Sequence, residues 1–211
     1  MSSDGPLLII ISSPSGAGKT TLTTRLRQQV PGLTFSVSHT TRPPRASETS
    51  GREYHFVEEA QFEQIVSRRE FLEWAVVHGH FYGTSQAELE RHRDARGIIF
   101  DVDHQGARQI KSKRPESVAV FVLPPSLPVL LERLRGRATD SEETVLRRFR
   151  VARSEIAHYG MFDYVLVNDD LDEAVDKLVA IVLAEECRRR RAAPLAEELL
   201  EADWSADGHD S

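Results

Sequence analysis

The stretch Leu7-Leu8-Ile9-Ile10-Ile11-Ser12-Ser13-Pro14-Ser15-Gly16-Ala17-Gly18-Lys19-Thr20-Thr21 decides the fold. Its apolar run does not alternate with polar residues, as befits a strand buried on both faces of a parallel sheet. The run empties into a loop of small residues in which Gly16 and Gly18 let the backbone curl, so that its N–H groups point inward at an anion. The residues that follow open a helix whose N-terminus carries partial positive charge. Lys19 adds a mobile full charge at the β/γ-phosphates, and the Thr20 hydroxyl sits where Mg²⁺ needs a ligand. The segment Ser13, Pro14, Ser15, Gly16, Ala17, Gly18, Lys19, Thr20 therefore reads as a phosphate-binding P-loop, G-x-x-x-x-G-K-[ST], with Thr21 next to it. Ser13 replaces the usual first glycine, so that position must accept a Cβ, and an altered loop geometry is to be sought there first.

Working outward, 211 residues suffice for one well-cored domain with an inserted subdomain. The net charge of -6 speaks against a general nucleic-acid or membrane coat. Arginines nonetheless crowd into a few stretches, which suits discrete anionic ligands such as a small phosphorylated substrate. Cys187 is the only cysteine, so no internal disulfide or Cys-based metal cluster is expected, and a reducing cytoplasm is the simplest setting. The N-terminal MSSDGPLLIIIS lacks a basic segment and its apolar run is too short to span a membrane, so neither export nor membrane association is expected. The histidines show no metal-ligand spacing.

Strands and helices alternate along the chain. Helices are expected over 19–29, 59–67, 85–93 with Thr84 as cap, 104–113, from Ser126 with Leu130, Leu131 and Leu134 on one face, 144–158 and 171–191, the last opened by an Asp170/Glu173 capping box. Strands are expected at 7–11, 35–38, 71–77, 98–103, 118–123 and 164–167. This order implies an α/β fold: a P-loop-type parallel sheet, right-handed crossovers and helices on both faces. Ligands then bind at the carboxyl ends of the strands, where the P-loop, Asp101 and Asp103 fall. The stretch 135–143 is polar and Gly-interrupted, and with the helices on either side it reads as a helix-loop-helix that projects as a mobile flap. Beyond Arg191 the chain turns acidic with little apolar pattern, and the tail is expected to lack fixed structure.

Arg42 and Arg45 lie on a Pro-stiffened loop, HTTRPPR, and their forked donors match phosphate oxygens. With Tyr54 in GREYHFV and Tyr82 in FYGTS they could serve a second phosphate. Asp101 could orient Mg²⁺ through water or cap a helix.

The motifs SPSGAGKTT, VSHTTRPPR, GREYHFV, FLEWA, FYGT, DVDHQGA and VNDD, in this order and spacing, resemble the guanylate kinase family up to about Glu186. The resemblance implies a P-loop core (1–37, 85–126, 159–191), a GMP-binding insert (38–84) and an arginine-bearing lid (127–158), leaving the tail 192–211. It implies the reaction MgATP + GMP to ADP + GDP, with dGMP also accepted, Mg²⁺ accompanying ATP, and ATP and GMP as small-molecule partners. Carried over by position, residues 13–21 resemble the ATP loop. Arg42, Arg45, Tyr54 and Tyr82 resemble ligands of the GMP phosphate, and Ser38, Glu73, Thr84 and Asp103 resemble guanine-side residues. Arg133, Arg137 and Arg148 match lid arginines which, with Lys19 and Arg42, neutralise transferring charge. Guanine offers donors at N1 and N2, so a carboxylate at Glu73 accepts both, whereas adenine presents an acceptor at N1 and no 2-amine. On its residue pattern alone Glu73 would read as a solvated strand residue. Ala138 stands where the family usually has glycine, which bears on the lid hinge.

Two rival readings are weighed. A related P-loop kinase for a sugar phosphate such as ribose 1,5-bisphosphate would not need Ser38, Tyr54, Glu73 and Asp103 together. A guanylate-kinase-like peptide-docking module tends to lose the loop that Gly16, Gly18, Lys19 and Thr20 retain here. The pattern leaves a homo-oligomer open.

Overall fold

A computed structural model describes residues 5–45, 48–77, 79–136 and 141–202. In chain order the elements are β1 (Leu7–Ser12), α1 (Lys19–Gln29), β2 (Leu33–Phe35), β3 (His39–Thr40), β4 (His55–Phe56), α2 (Glu59–Ser67), β5 (Phe71–Val77), β6 (His80–Ser85), α3 (Gln86–Arg91), β7 (Gly97–Asp101), α4 (His104–Lys113), β8 (Val118–Leu123), α5 (Leu127–Arg135), α6 (Glu142–Ile156), β9 (Tyr164–Val167), α7 (Leu171–Glu186) and α8 (Arg189–Glu201). A short 3₁₀ turn, Tyr159–Met161, precedes β9.

The five-stranded sheet has the order β2-β7-β1-β8-β9, all parallel, with β1 at its centre. Every residue of β1 is buried, as its unbroken apolar run requires. Its pleat divides the core in two. Leu7, Ile9 and Ile11 pack with Leu22 and Leu26 of α1 and Val175, Leu178 and Val182 of α7. Leu8 and Ile10 face the other way, onto Ile98, Phe100, Ile110 of α4 and Phe121. Each such side chain contributes roughly 1.5–3 kcal/mol by leaving water, enough to make this strand the anchor for the loop that follows it.

A second, four-stranded mixed sheet of order β4-β3-β6-β5 lies within 39–85, with β5 and β6 antiparallel and β3 and β4 parallel. Helices α5 and α6 form their own small cluster of Leu130, Leu134, Val145 and Ala152.

Several local expectations are corrected. The strand read over 35–38 ends at Phe35, because the Val37 N–H turns to the buried carboxylate of Glu88 (3.0 Å) instead of a neighbouring strand. Thr84 does not cap a helix: β6 runs on through Ser85, paired with Phe71 and Glu73 of β5, and Ser85 stands at the cap position of α3. The helix before β9 starts at Glu142, where the Ser141 hydroxyl accepts from Thr144 N (3.3 Å). Asp170 accepts from the Glu173 N–H (2.9 Å), the half of the capping box that forms. The long last helix breaks after Glu186, where Arg188 adopts extended backbone and its guanidinium folds back onto Glu185. Residues 192–201, expected to lack structure, are helical in α8. Its Ala, Leu and Glu are strong helix formers, and no residue of that helix is buried. Among the described residues no helix is long and apolar enough to cross a membrane.

Candidate active site

The chain leaves β1 at Ser12 and reaches α1 through a loop that is left-handed at Gly16 (φ 91°) and Gly18 (φ 94°), where a side chain would be strained. Packing adds a second demand at both glycines. A Cβ on Gly16 would stand 3.0–3.1 Å from Leu130 and Leu134 of α5, and one on Gly18 would run into the Asn168 amide. Ser13 is not in the left-handed region: among the described residues Arg69 is the one non-glycine there, so the first loop position accepts its Cβ without backbone strain.

On this side of the cleft, two carboxylates contact the loop and the start of α1. Lys19 Nζ is ion-paired with Asp101, at the end of β7. Glu155, near the end of α6, accepts from the Ser15 N–H at 3.3 Å, and burial raises its pKa. Asp101 caps no helix. Asp103 does so, its Oδ1 accepting from the N–H groups of Gln105 and Gly106 (3.0 Å each) at the start of α4.

Across the cleft, Arg42 donates to both Glu48 oxygens (2.8 and 2.9 Å) and to the Pro43 carbonyl (2.7 Å) and lies 5.5 Å above the Tyr54 ring. Glu48 also accepts from the Arg45 N–H (2.8 Å), while the Arg45 side chain is exposed. The Arg42 hydrogen bond holds the Glu48 carboxyl below the usual range. Tyr54 and Tyr82 meet edge to face at 5.8 Å, and burial pushes the Tyr54 hydroxyl up to about 12.

Glu73 is 3% exposed. It sits on β5 opposite Thr84 of β6, whose hydroxyl meets that of Ser38 at 3.1 Å. Burial pushes the Glu73 carboxyl up to about 7; the negative Asp103 adds to this, and hydrogen bonds from Thr84 and the charge of Lys113 oppose it.

One cleft of about 400 Å³ is lined by Ser13, Pro14, Ser15, Gly16, Gly18, Lys19, Thr20 and Thr21 from the loop side, Ser38, Tyr54, Glu73 and Tyr82 from the second sheet, and Asp101, Asp103 and Glu155 between them. Ala17 is buried beneath the loop and Thr84 behind Glu73, both off the lining. Arg42 touches the cleft through Tyr54 and Tyr82. Arg133 on α5 is turned to the Asn168 carbonyl (3.1 Å), and Arg148 lies half-buried on α6. Arg137 and Ala138 fall outside the described residues.

Four residues that pattern reading did not single out take part. Asn168 donates its amide to the Ala17 carbonyl (2.7 Å) and so braces the loop from β9. Glu48 holds Arg42, Glu155 reaches Ser15, and Glu88 pins the Val37 N–H where the chain enters the second sheet. Asn168 carried a signal, a polar amide directly after an apolar strand in VNDD. The three glutamates carry no motif or spacing that sets them apart from other loop and helix glutamates of the chain.

A family model described as guanylate kinase matches residues 6–185. A guanylate kinase of Aromatoleum aromaticum is 52% identical over 182 residues, 86% of this chain and 89% of that protein. One of Myxococcus xanthus is 50% identical over 187 residues, 88% of this chain and 90% of that one. The crystal structure of guanylate kinase from Anaplasma phagocytophilum has a TM-score of 0.78 at 31% identity, covering 99% of this chain and 100% of that chain.

Proposed function

The chain belongs to the guanylate kinase family, and from that premise we propose how its residues divide the work. The protein is an ATP-dependent nucleoside monophosphate kinase: the γ-phosphoryl of ATP passes to a phosphate oxygen of GMP, giving ADP and GDP. The observation that carries the assignment of residues is that a P-loop and a buried carboxylate, Glu73, face one cleft from opposite sides.

Phosphoryl transfer asks for positioning and charge neutralisation more than for a strong base. Residues 13–21 hold the ATP phosphates through backbone N–H groups and the α1 N-terminus, with Lys19 leaving Asp101 to meet the β/γ oxygens. Arg42, Arg45, Tyr54 and Tyr82 take the GMP phosphate. Glu73 accepts from guanine N1 and N2, supported by Ser38, Thr84 and Asp103. Arg133, Arg137 and Arg148 bring lid charge toward the transferring group, with Lys19 and Arg42 on either side of it. The donor set suits Mg²⁺: the Thr20 hydroxyl and Asp101, the latter through water, are hard oxygens in the same cleft, and water and phosphate oxygens complete such a shell. When bound, Mg²⁺ supplies neutralisation of the β/γ charge. dGMP is accepted in the same pocket, and a cytoplasmic setting fits the lone Cys187.

A coupled measurement of ADP release with MgATP against GMP, dGMP, AMP, UMP and ribose 1,5-bisphosphate tests this. GMP is expected to turn over fastest, followed by dGMP. Turnover of the sugar phosphate in place of GMP would establish the rival kinase, and binding without any turnover the docking module.

A further inference from the structure

We infer that Gly106 is a specificity-determining residue of the base pocket: lacking a Cβ, it leaves against the first turn of α4 the space in which the Glu73 carboxylate rests. The inference rests on the reading of Glu73 as the acceptor for the guanine edge.

Glycine is the poorest helix former after proline, so one in a first turn asks for a reason. Backbone conformation does not supply it, since Gly106 is absent from the glycines with positive φ. Packing does. A Cβ built at 106 would come within 2.7 Å of Glu73 Oε2, 3.2 Å of its Cδ and 3.0 Å of Val102 Cβ. The carboxylate is thus held between Thr84 on the partner strand and the bare backbone of α4. The same residue serves the second base-side carboxylate, because its N–H donates to Asp103 Oδ1 at 3.0 Å. Gly106 therefore sets the separation of Glu73 and Asp103, whose mutual repulsion helps raise the Glu73 pKa.

An added methyl would act in a particular way. The atom nearest to it is the far end of a side chain, which can give way without disturbing a strand or helix, and alanine is the better helix former. What gives way is the oxygen that must meet N1–H and N2–H together. The methyl is therefore felt in recognition before it is felt in the fold.

The test compares G106A, E73Q and the double variant for kcat/KM with GMP and with inosine monophosphate, which keeps N1–H and lacks the 2-amino group; melting curves are taken alongside. In G106A the preference for GMP over inosine monophosphate is expected to fall about tenfold or more, the weight of one charge-assisted hydrogen bond. The loss should lie in KM for GMP, with KM for ATP unchanged. E73Q should lose the same preference, and the double variant should be no less selective than the poorer single one. If E73Q loses the preference and G106A keeps it, the inference falls and the reading of Glu73 stands. If both keep it, the reading of Glu73 falls and takes the inference with it. A lowered melting temperature with equal losses for both substrates, or a G106A that does not fold, would assign Gly106 to the fold alone and overturn the inference.

Discussion

On the loop side of the cleft the groups proposed to meet phosphate are consecutive in the chain, residues 13–20, and most of them are backbone N–H groups set by the turn between β1 and α1. On the insert side the groups proposed to meet phosphate and base are side chains gathered from Arg42, Arg45, Tyr54 beside β4, β5, β6 and the start of α4. Both sides hold carboxylates, but in different postures. Glu155 and Asp101 contact the groups proposed to take phosphate, the Ser15 N–H and Lys19. Glu48 instead grips Arg42 through one guanidinium nitrogen, while the other donates to the Pro43 carbonyl, and so holds the side chain over the Tyr54 ring. A contiguous backbone cradle, braced by the one Asn168 amide, needs no carboxylate to hold it and can tolerate a stand-in anion. A site of separate side chains needs fixed partners to hold its geometry.

The largest expected effect breaks the loop side alone. Lys19→Ala should lower kcat by about 10²–10³, as loss of one preorganised cationic or hydrogen-bond donor to the transferring group does. GMP affinity, measured by calorimetry without ATP, should be retained. If GMP binding collapsed as well, the cleft would not divide into two phosphate sites.

The next effect belongs to the insert side and depends on pH. Burial raises the Glu73 carboxyl to about 7, with Asp103 and Lys113 the charges that face it. Only its ionised form accepts from both N1–H and N2–H, so kcat/KM for GMP should rise with pH, about tenfold per unit below 7, and level off above about 8. The second phosphate ionisation of GMP, near pH 6, adds a separate slope at lower pH. Glu73→Gln should abolish the step near 7 and leave that lower one, which separates enzyme from substrate titration.

This contrast also explains what could be read from the chain. The P-loop was legible because its determinants are local: an apolar run, two glycines, a lysine and a threonine. Four strands of the central sheet, β1, β7, β8 and β9, were legible for the same reason, each carrying its own pattern, whereas the pattern places the edge strand β2 too late in the chain. Glu73 was not legible from pattern, because within FLEWA it alternates like a solvated strand residue, and its burial comes from α4 packing over β5. Its role came only through the family resemblance. Glu48, Glu155 and Asn168 owe their positions to contacts across 6, 140 and 151 residues, and only the first of these separations is local. The tail misled in the other direction: an acidic composition suggested disorder, but composition does not decide whether a short run of Ala, Leu and Glu forms a helix.

The remaining two substitutions set the two kinds of carboxylate directly against each other. Glu48→Gln keeps the shape but loses the charge-assisted pair with Arg42, so KM for GMP should rise by about tenfold while KM for ATP stays in place. Glu155→Gln should do the opposite on the other side. A carboxylate on the Ser15 N–H competes with phosphate and repels it, and the amide loses the repulsion while keeping the size. The group is partly exposed and its bond long, so the gain should be small, about two- to threefold tighter binding of ATP or inorganic tripolyphosphate to the enzyme without GMP. Should Glu155→Gln instead weaken ATP, Glu155 would be a positioning group like Glu48, and the two sides of the cleft would be braced alike.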